Sequence, residues 1–426
     1  MNYNDSIVFY FYIIYGEVAR LKTIAIAGTF DSKGKEFLYV KERIESLGLN
    51  TMTIHTGVFE PTFEADISNE ELAKIVGENI KDIRNKNDRG YAMEILSKSM
   101  EILVPELYKE GKIDGIISLG GSGGTSLVTP AMRALPIGIP KVMVSTMASG
   151  ETSQYVGTSD IVMIPSVVDV AGLNKVSMKI FNNAVNAIYG MVSNDSEVSE
   201  GQRPLIAASM FGVTTPCIDK AKAYIEEQGY EVLVFHATGV GGKSMESLIE
   251  AGYFTGVLDL TTTEWCDEIV GGVLNAGPNR LEAAAKNNIP QVVSVGAVDM
   301  VNFGPLESVP SEFKDRNLYK HNPTVTLMRT SVDENVAIGK VIAEKLNMAS
   351  GNTALMLPLK GVSLIDVEGQ PFYGKEEDEA LFNVLRDTVN KETVDFIEIN
   401  ASINDDEFAL AADKKLIDMI ENSKIN

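Results

Sequence analysis

Two glycine-rich segments are the places where this chain is best equipped to hold an anion. Gly120–Thr125 reads Gly-Gly-Ser-Gly-Gly-Thr directly after the apolar run Gly115–Leu119. Glycines let a backbone approach a ligand closely, and the N–H groups that open a following helix point outward with the helix dipole behind them. Such a nest of donors, flanked by hydroxyls and free of bulky side chains, suits a polyphosphate. The second segment, Gly28–Gly34, reads Gly-Thr-Phe-Asp-Ser-Lys-Gly after another apolar run. Ser32 and Lys33 add a hydroxyl and a mobile positive charge, and Asp31 could take a metal ion or a ribose hydroxyl. The pattern is neither GxGxxG nor Walker A, and a tight turn with Asp31 as N-cap is the structural alternative. The expected phosphate contacts are Gly28, Thr29, Asp31, Ser32, Lys33 and Gly34 from one loop, and Gly120, Gly121, Ser122, Gly123, Gly124 and Thr125 from the other. A hydroxyl-rich loop, Ser145–Asp160, adds Thr146 and Ser149 and has the length and polarity of a segment that closes over a ligand. Asp160 is a further metal candidate.

The second half of the chain offers candidates for catalysis. His236 precedes a Gly239/Gly241/Gly242 series that could be another anion cradle, and Glu264 follows three threonines. His236 with Glu264 could form an acid–base pair; Glu264 in the first turn of a helix, favourable to its dipole, is the plainer alternative. Arg329, at the end of a strand-like run, could clamp a phosphate or carboxylate bidentately. A histidine that merely bonds a neighbouring loop would account for both His55 and His236.

These residues sit on a repeated framework. His236 lies 181 positions after His55, and the same shift pairs Ala27 with Ala208, Phe30 with Phe211, Ile44 with Ile225 and Gly48 with Gly229. Short apolar runs alternate with amphipathic helical stretches: Leu21–Ala27, Lys35–Leu47, Thr51–Ile54, an acidic helical stretch over Asn69–Lys109, then strand, glycine loop and helix from Gly115. The pattern restarts at Leu205, and Thr324–Met328 reads as a later strand. Such alternation predicts α/β architecture with two Rossmann-like doubly wound parallel-sheet domains related by internal duplication, and a ligand cleft between them. The expected domains are 22–203 and 204–426, joined by a polar linker containing Gly201 and Pro204. Residues 1–21 form an apolar extension, too short to span a bilayer and without the flanking charge of a signal peptide.

A formal charge of −22 argues against a nucleic-acid partner, which needs a basic face. No membrane association is expected. Cys217 and Cys266 stand far apart without zinc spacing, which suits a reduced cytoplasmic protein with buried thiols.

The Gly120–Thr125 loop is similar to the Gly-Gly-Asp-Gly-Thr loop of the ATP–NAD kinase and diacylglycerol kinase class, with Ser122 where those have an acid. A separate likeness rests on longer segments: "GTFDSKG", "LGGSGGTSLVTPAMRALPIGIPKVMVSTMASG", "VGTSDI", "MFGVTTPC", "HATGVGGKSME", "LDLTTTEW", "VVSVGAVDMVNFG", "HNPTVTLMRT" and "LPLKGVS". Together they resemble the family of bacterial and plant proteins named for the ATP-binding N-terminal domain of the tomato mosaic virus resistance protein, from about Lys22 to the C-terminal helix. Ser32 stands where that family usually has threonine. The resemblance implies a two-domain ATP-binding protein, a homodimer, and a functional partner that looks like the phosphoenolpyruvate-mutase TIM barrel. Mg²⁺ is expected with ATP on charge grounds, near Asp31. Two functions follow as expectations: an ATP-dependent enzyme acting on a small carboxylate or phosphorylated metabolite near His236, Glu264 and Arg329, or a non-catalytic ATP-gated interaction module.

Overall fold

The structure, a computed structural model, describes residues 20–194 and 203–425. Most of the apolar extension and most of the expected linker lie outside the described residues. The chain divides into two compact units at Val198/Ser199.

In the first unit, β1 (Thr23–Gly28), β2 (Asn50–His55), β3 (Gly115–Gly120), β4 (Lys141–Ser145) and β5 (Val162–Pro165) form a parallel sheet in the order β2-β1-β3-β4-β5. The helices are α1 (Gly34–Glu45), α2 (Asn69–Ile75), α3 (Ile80–Asn85), α4 (Arg89–Lys109), α5 (Ser122–Arg133), α6 (Ser153–Val156) and α7 (Lys175–Ser193). β1, β3 and β4 are buried along their whole length, as a parallel sheet covered on both faces requires. Alternate residues of β1 feed opposite cores. Ile24 and Ile26 join Phe37 and Val40 of α1 and Phe181 and Ile188 of α7. Ala25 and Ala27 join Leu96 and Met100 of α4 and Leu127 and Val128 of α5.

The stretch Asn69–Lys109, which reads as one helix, is three. The side chains of Ser68, Asn79 and Asp88 accept hydrogen bonds from the N–H groups of Glu71, Lys81 and Tyr91, each starting a new helix. Gly77 (φ +76°) and Asn87 (φ +50°) turn the chain in the gaps. Hydrophobic periodicity does not register such caps, which act through single polar side chains. The last restart makes Arg89 the first residue of α4.

The second unit contains β6 (Leu205–Met210), β7 (Glu231–His236), β8 (Gly256–Thr261), β9 (Gln291–Gly296), β10 (Met300–Phe303), β11 (Leu318–Asn322), β12 (Val325–Arg329), β13 (Thr353–Pro358) and β14 (Val394–Ile399). Its helices are α8 (Thr215–Glu227), α9 (Val240–Glu250), α10 (Glu264–Val270), α11 (Ala283–Lys286), α12 (Val332–Leu346), α13 (Lys375–Thr388) and α14 (Asp406–Ile425). A six-stranded parallel sheet runs β14-β13-β9-β8-β6-β7. The strand expected at Thr324–Met328 exists as β12, but it belongs to a separate antiparallel sheet, β10-β12-β11, not to the parallel one. Pairing direction is set by distant partners, which a local apolar run does not encode.

The duplication is visible in three dimensions. The order β2-β1-β3-β4-β5 is repeated by β7-β6-β8-β9-β13, with β14 added at the edge. Phe30 stacks on His55 with ring centroids 5.4 Å apart, and Phe211 stacks on His236 at 5.4 Å. Gly48 (φ +84°) and Gly229 (φ +91°) end the matching helices in the same left-handed turn. The chain is therefore α/β with two Rossmann-like, doubly wound parallel-sheet domains. Among the described residues no helix is long and apolar enough to cross a membrane.

Candidate functional site

A cavity of about 820 Å³ lies in the first unit at the carboxyl ends of β1 and β3, with every lining residue between Thr29 and Asp169. β1 and β3 are neighbours where the strand order reverses direction. Connections leave such a switch point toward opposite faces of the sheet, and the crevice between them is the usual ligand position in open α/β sheets.

Five segments supply the walls: the turn at Thr29–Lys33, the loop Thr56–Glu60, the α3–α4 junction with the adjoining face of α4, the start of α5 at Gly121–Gly124, and Asp169 between β5 and α7. Thr29 carbonyl accepts from the N–H groups of Ser32 (3.2 Å) and Lys33 (2.9 Å), closing the first turn. Asp31 does not cap α1; its carboxylate accepts the Phe59 N–H at 3.1 Å and so ties two walls together. Lys33 donates to the Val170 carbonyl. His55, fully buried, is a fastener: Nδ1 accepts from the N–H groups of Phe30 (3.1 Å) and Gly57 (3.4 Å), leaving the proton on Nε2 to meet Phe59 carbonyl at 2.9 Å.

The glycine loop is shorter than its sequence suggests, because the helix begins at Ser122. No side chain caps α5, and its first turn closes with a bond from Thr125 N–H to Gly121 carbonyl at 3.0 Å. The N–H groups of Ser122, Gly123 and Gly124 are thus without helical partners. Packing explains other glycines of the expected set. A Cβ at Gly28 would lie 1.9 Å from the Phe37 ring, one at Gly34 1.7 Å from the Thr62 hydroxyl, and one at Gly120 3.0 Å from Gly124. Thr125 does not line the cavity: it is buried, donating to Gly121 carbonyl at 2.8 Å and sharing a 2.6 Å bond with Ser145. Thr146 and Ser149 are exposed and do not line the cavity.

Three cations line the cavity: Lys33, Arg84 and Arg89. Arg84 donates to Val58 carbonyl (2.8 Å), lies 3.6 Å from Glu60 and covers the Phe59 ring at 5.4 Å. Arg89 is exposed and has no ion-pair or hydrogen-bond partner among the described residues. A Cβ on Gly123 would lie 2.8 Å from its guanidinium. Thr56 is 2% exposed and its hydroxyl has no partner. Ile83, Ala92, Leu96 and Leu127 give the cavity an apolar side. Thr56, Arg84 and Arg89 are invisible to motif reading because two come from helix boundaries that only capping sets; the Asp88 cap before Arg89 is the one signal.

The candidates of the second half are not brought together. His236 is exposed and stacked on Phe211. Glu264 is buried and binds elsewhere: one oxygen accepts from the N–H groups of Gly239 (2.7 Å) and Gly242 (3.1 Å), the other from Arg280 Nε (2.7 Å). Arg280, also buried, further meets Glu246 at 3.0 Å and Asp259 at 2.7 Å. The Gly239–Gly242 cradle is therefore occupied by the protein's own carboxylate. Arg329 is not a free clamp, since its guanidinium meets Asp378 (2.7 Å), Phe372 carbonyl (2.7 Å), Thr330 (2.9 Å) and Asp366 (3.2 Å). Burial and the neighbouring carboxylates raise Asp366 to about 10 and Asp299 to about 6. Asp160 pairs with buried Lys141 at 2.5 Å and accepts Gly138 N–H at 2.7 Å, a structural role. Both thiols are buried, and burial pushes Cys217 up to about 12, which leaves it unreactive. No group of three or more His, Cys, Asp or Glu fit to hold a metal occurs among the described residues.

A protein from Clostridium tetani described as a UPF0261 protein is 61% identical over 94% of this chain and 99% of its own length. The tomato mosaic virus resistance protein Tm-1(GCR237) of Solanum lycopersicum is 41% identical over 93% of this chain, which spans only 56% of that protein. A solved UDP-N-acetylglucosamine 2-epimerase from Listeria monocytogenes aligns over 65% of this chain and 79% of its own at 10% identity, with a TM-score of 0.22 too low to bear on function. Residues 22–197 match the N-terminal domain, and residues 203–420 the C-terminal domain, of one family. The chain belongs to the uncharacterised protein family UPF0261.

Proposed function

We propose that the first unit binds a nucleotide, ATP with Mg²⁺, in the cavity at the ends of β1 and β3. The observation that carries this reading is the convergence of Lys33, Arg84, Arg89 and the uncapped start of α5 on one cavity in a protein of net charge −22. Its volume of about 820 Å³ lies within the range of small-molecule sites. The phosphates face the free amides of Ser122–Gly124 and the Arg89 guanidinium, and the base packs on the apolar side near Leu96 and Leu127. Lys33 exchanges the Val170 carbonyl for a phosphate oxygen. Mg²⁺ enters with the phosphates, which supply most of its ligands; Asp31, Glu60, Asp88 and Asp169 are the carboxylates within the lining.

Binding without chemistry is the reading favoured here, because Glu264 and Arg329 are committed to internal networks and the cavity lining holds no histidine or cysteine. The homodimer and the TIM-barrel partner, which the family resemblance implies, and the cytoplasmic location, which the cysteine usage suggests, remain parts of this proposal. Titration calorimetry with Mg-ATP tests it. Arg89→Ala and Lys33→Ala should each weaken binding about ten- to a hundredfold, the equivalent of a charged hydrogen bond of ~1.5–3 kcal/mol. Unchanged affinity in both variants removes the cavity as the site, and steady release of phosphate from ATP overturns the non-catalytic reading.

A further inference from the structure

The two units are copies, so each position around the cavity has a counterpart. Counted from the first residues of β3 and β8, Gly123 and Glu264 hold the same place. Thr56 and Ala237 both follow the paired histidines. In the second unit a carboxylate rises from this place and is held by two main-chain N–H groups and the Arg280 guanidinium. In the first unit the carboxylate is missing, and donors from other parts of the chain line the cavity instead. Gly123 has no side chain, the unpaired Arg89 guanidinium stands 2.8 Å from where its Cβ would be, and the buried Thr56 hydroxyl has no partner. A buried hydroxyl left unsatisfied is costly and calls for an acceptor. Ala237, in the closed copy, is apolar and needs none. The connections differ accordingly: β7 leads at once into α9, whose amides meet Glu264, whereas β2 leads into an irregular loop bordering the cavity.

We infer that an oxyanionic group of the ligand, a phosphoryl or a carboxylate, sits over Gly123 beside Arg89, in the cavity that Thr56 also lines and in the place that the Glu264 side chain fills in the second unit. Gly123 is the residue that keeps this subsite open, and the chain carries one such site, not two. The inference rests on the cavity being a ligand site but not on the ligand being ATP.

Gly123→Glu installs the second unit's carboxylate in the first. A glutamate in the first turn of a helix beside an arginine is favourable, so the variant should melt no lower than the wild type. Calorimetry with ATP, inorganic pyrophosphate and malonate on the full chain then separates the cases. Wild-type binding of ATP or pyrophosphate at one site per chain, weakened at least tenfold by Gly123→Glu, supports a phosphoryl subsite; the same pattern with malonate alone supports a carboxylate subsite and removes ATP. ATP binding left unchanged by Gly123→Glu overturns the subsite while leaving nucleotide binding intact. Two sites per chain, or binding of none of the three probes, also overturns it. Should Gly123→Glu melt early, Arg89→Ala and Thr56→Val must each weaken the same probe, and no loss in either overturns the inference.

Discussion

Arg280 and Arg89 illustrate how one side chain changes role with its surroundings. Arg280 is enclosed by Asp259, Glu264 and Glu246, so removing it would strand buried carboxylates and cost several kcal/mol. Arg89 has no such partners and is available to a ligand. Asp413 shows the opposite problem. It is fully buried, neither carboxylate oxygen has a partner, and burial raises its pKa from 3.8 to about 7. Between about pH 4 and 7 the folded protein keeps this proton while the unfolded chain releases it, so stability falls as pH rises through that window. Asp413→Asn removes the titration. Its stability relative to wild type should rise from pH 5 to pH 8, by an amount on the order of 2–4 kcal/mol. Melting temperatures at the two pH values check this, and a constant difference would refute the account.

Helix boundaries decide the site at the next scale. The Asp88 cap fixes where α4 begins and hence where Arg89 stands. Asp88→Ala should cost about 1 kcal/mol of stability, typical of a lost N-cap. It should also weaken ligand binding several-fold through the frayed first turn, whereas Asp88→Ser, which still caps, restores both. Thermal melts and calorimetry on the pair separate a positioning effect from loss of the Asp88 charge, because Asp88→Ser lacks that charge too. The same logic explains α5: with glycines at Gly121, Gly123 and Gly124 and no capping side chain, its amino end stays open to solvent and ligand.

At the scale of the molecule, each unit buries its own hydrophobic clusters. Those around Ile26 and Ala27 draw only on the first unit, and those around Leu258 and Val293 only on the second. Residues 20–194 expressed alone should therefore melt cooperatively and bind the same ligand with the affinity of the full chain. Circular dichroism and calorimetry test this, and a fragment that folds but does not bind places essential contacts outside the first unit. The high negative charge makes local cation placement matter more, since long-range attraction for an anion is absent.

From the amino-acid order alone the duplication, the α/β class and the two anion-prone loops at strand ends are legible. Each is a local or periodic property: the paired histidines, the buried apolar runs, Gly48 and Gly229 at helix ends. What tertiary structure decided is which donors lack acceptors. Glu264 and Arg329 read in the sequence as either reactive groups or structural ones, and the fold commits them to Arg280 and Asp378, partners that no local motif announces. Thr125 looks like a phosphate contact and is spent on Ser145. Thr56 and Arg89, unremarkable as residues, are candidates because folding brings both to the cavity that Gly123 lines and leaves their side chains without a partner. Hydrogen-bond satisfaction is a property of three-dimensional neighbours, and no spacing in the chain encodes it.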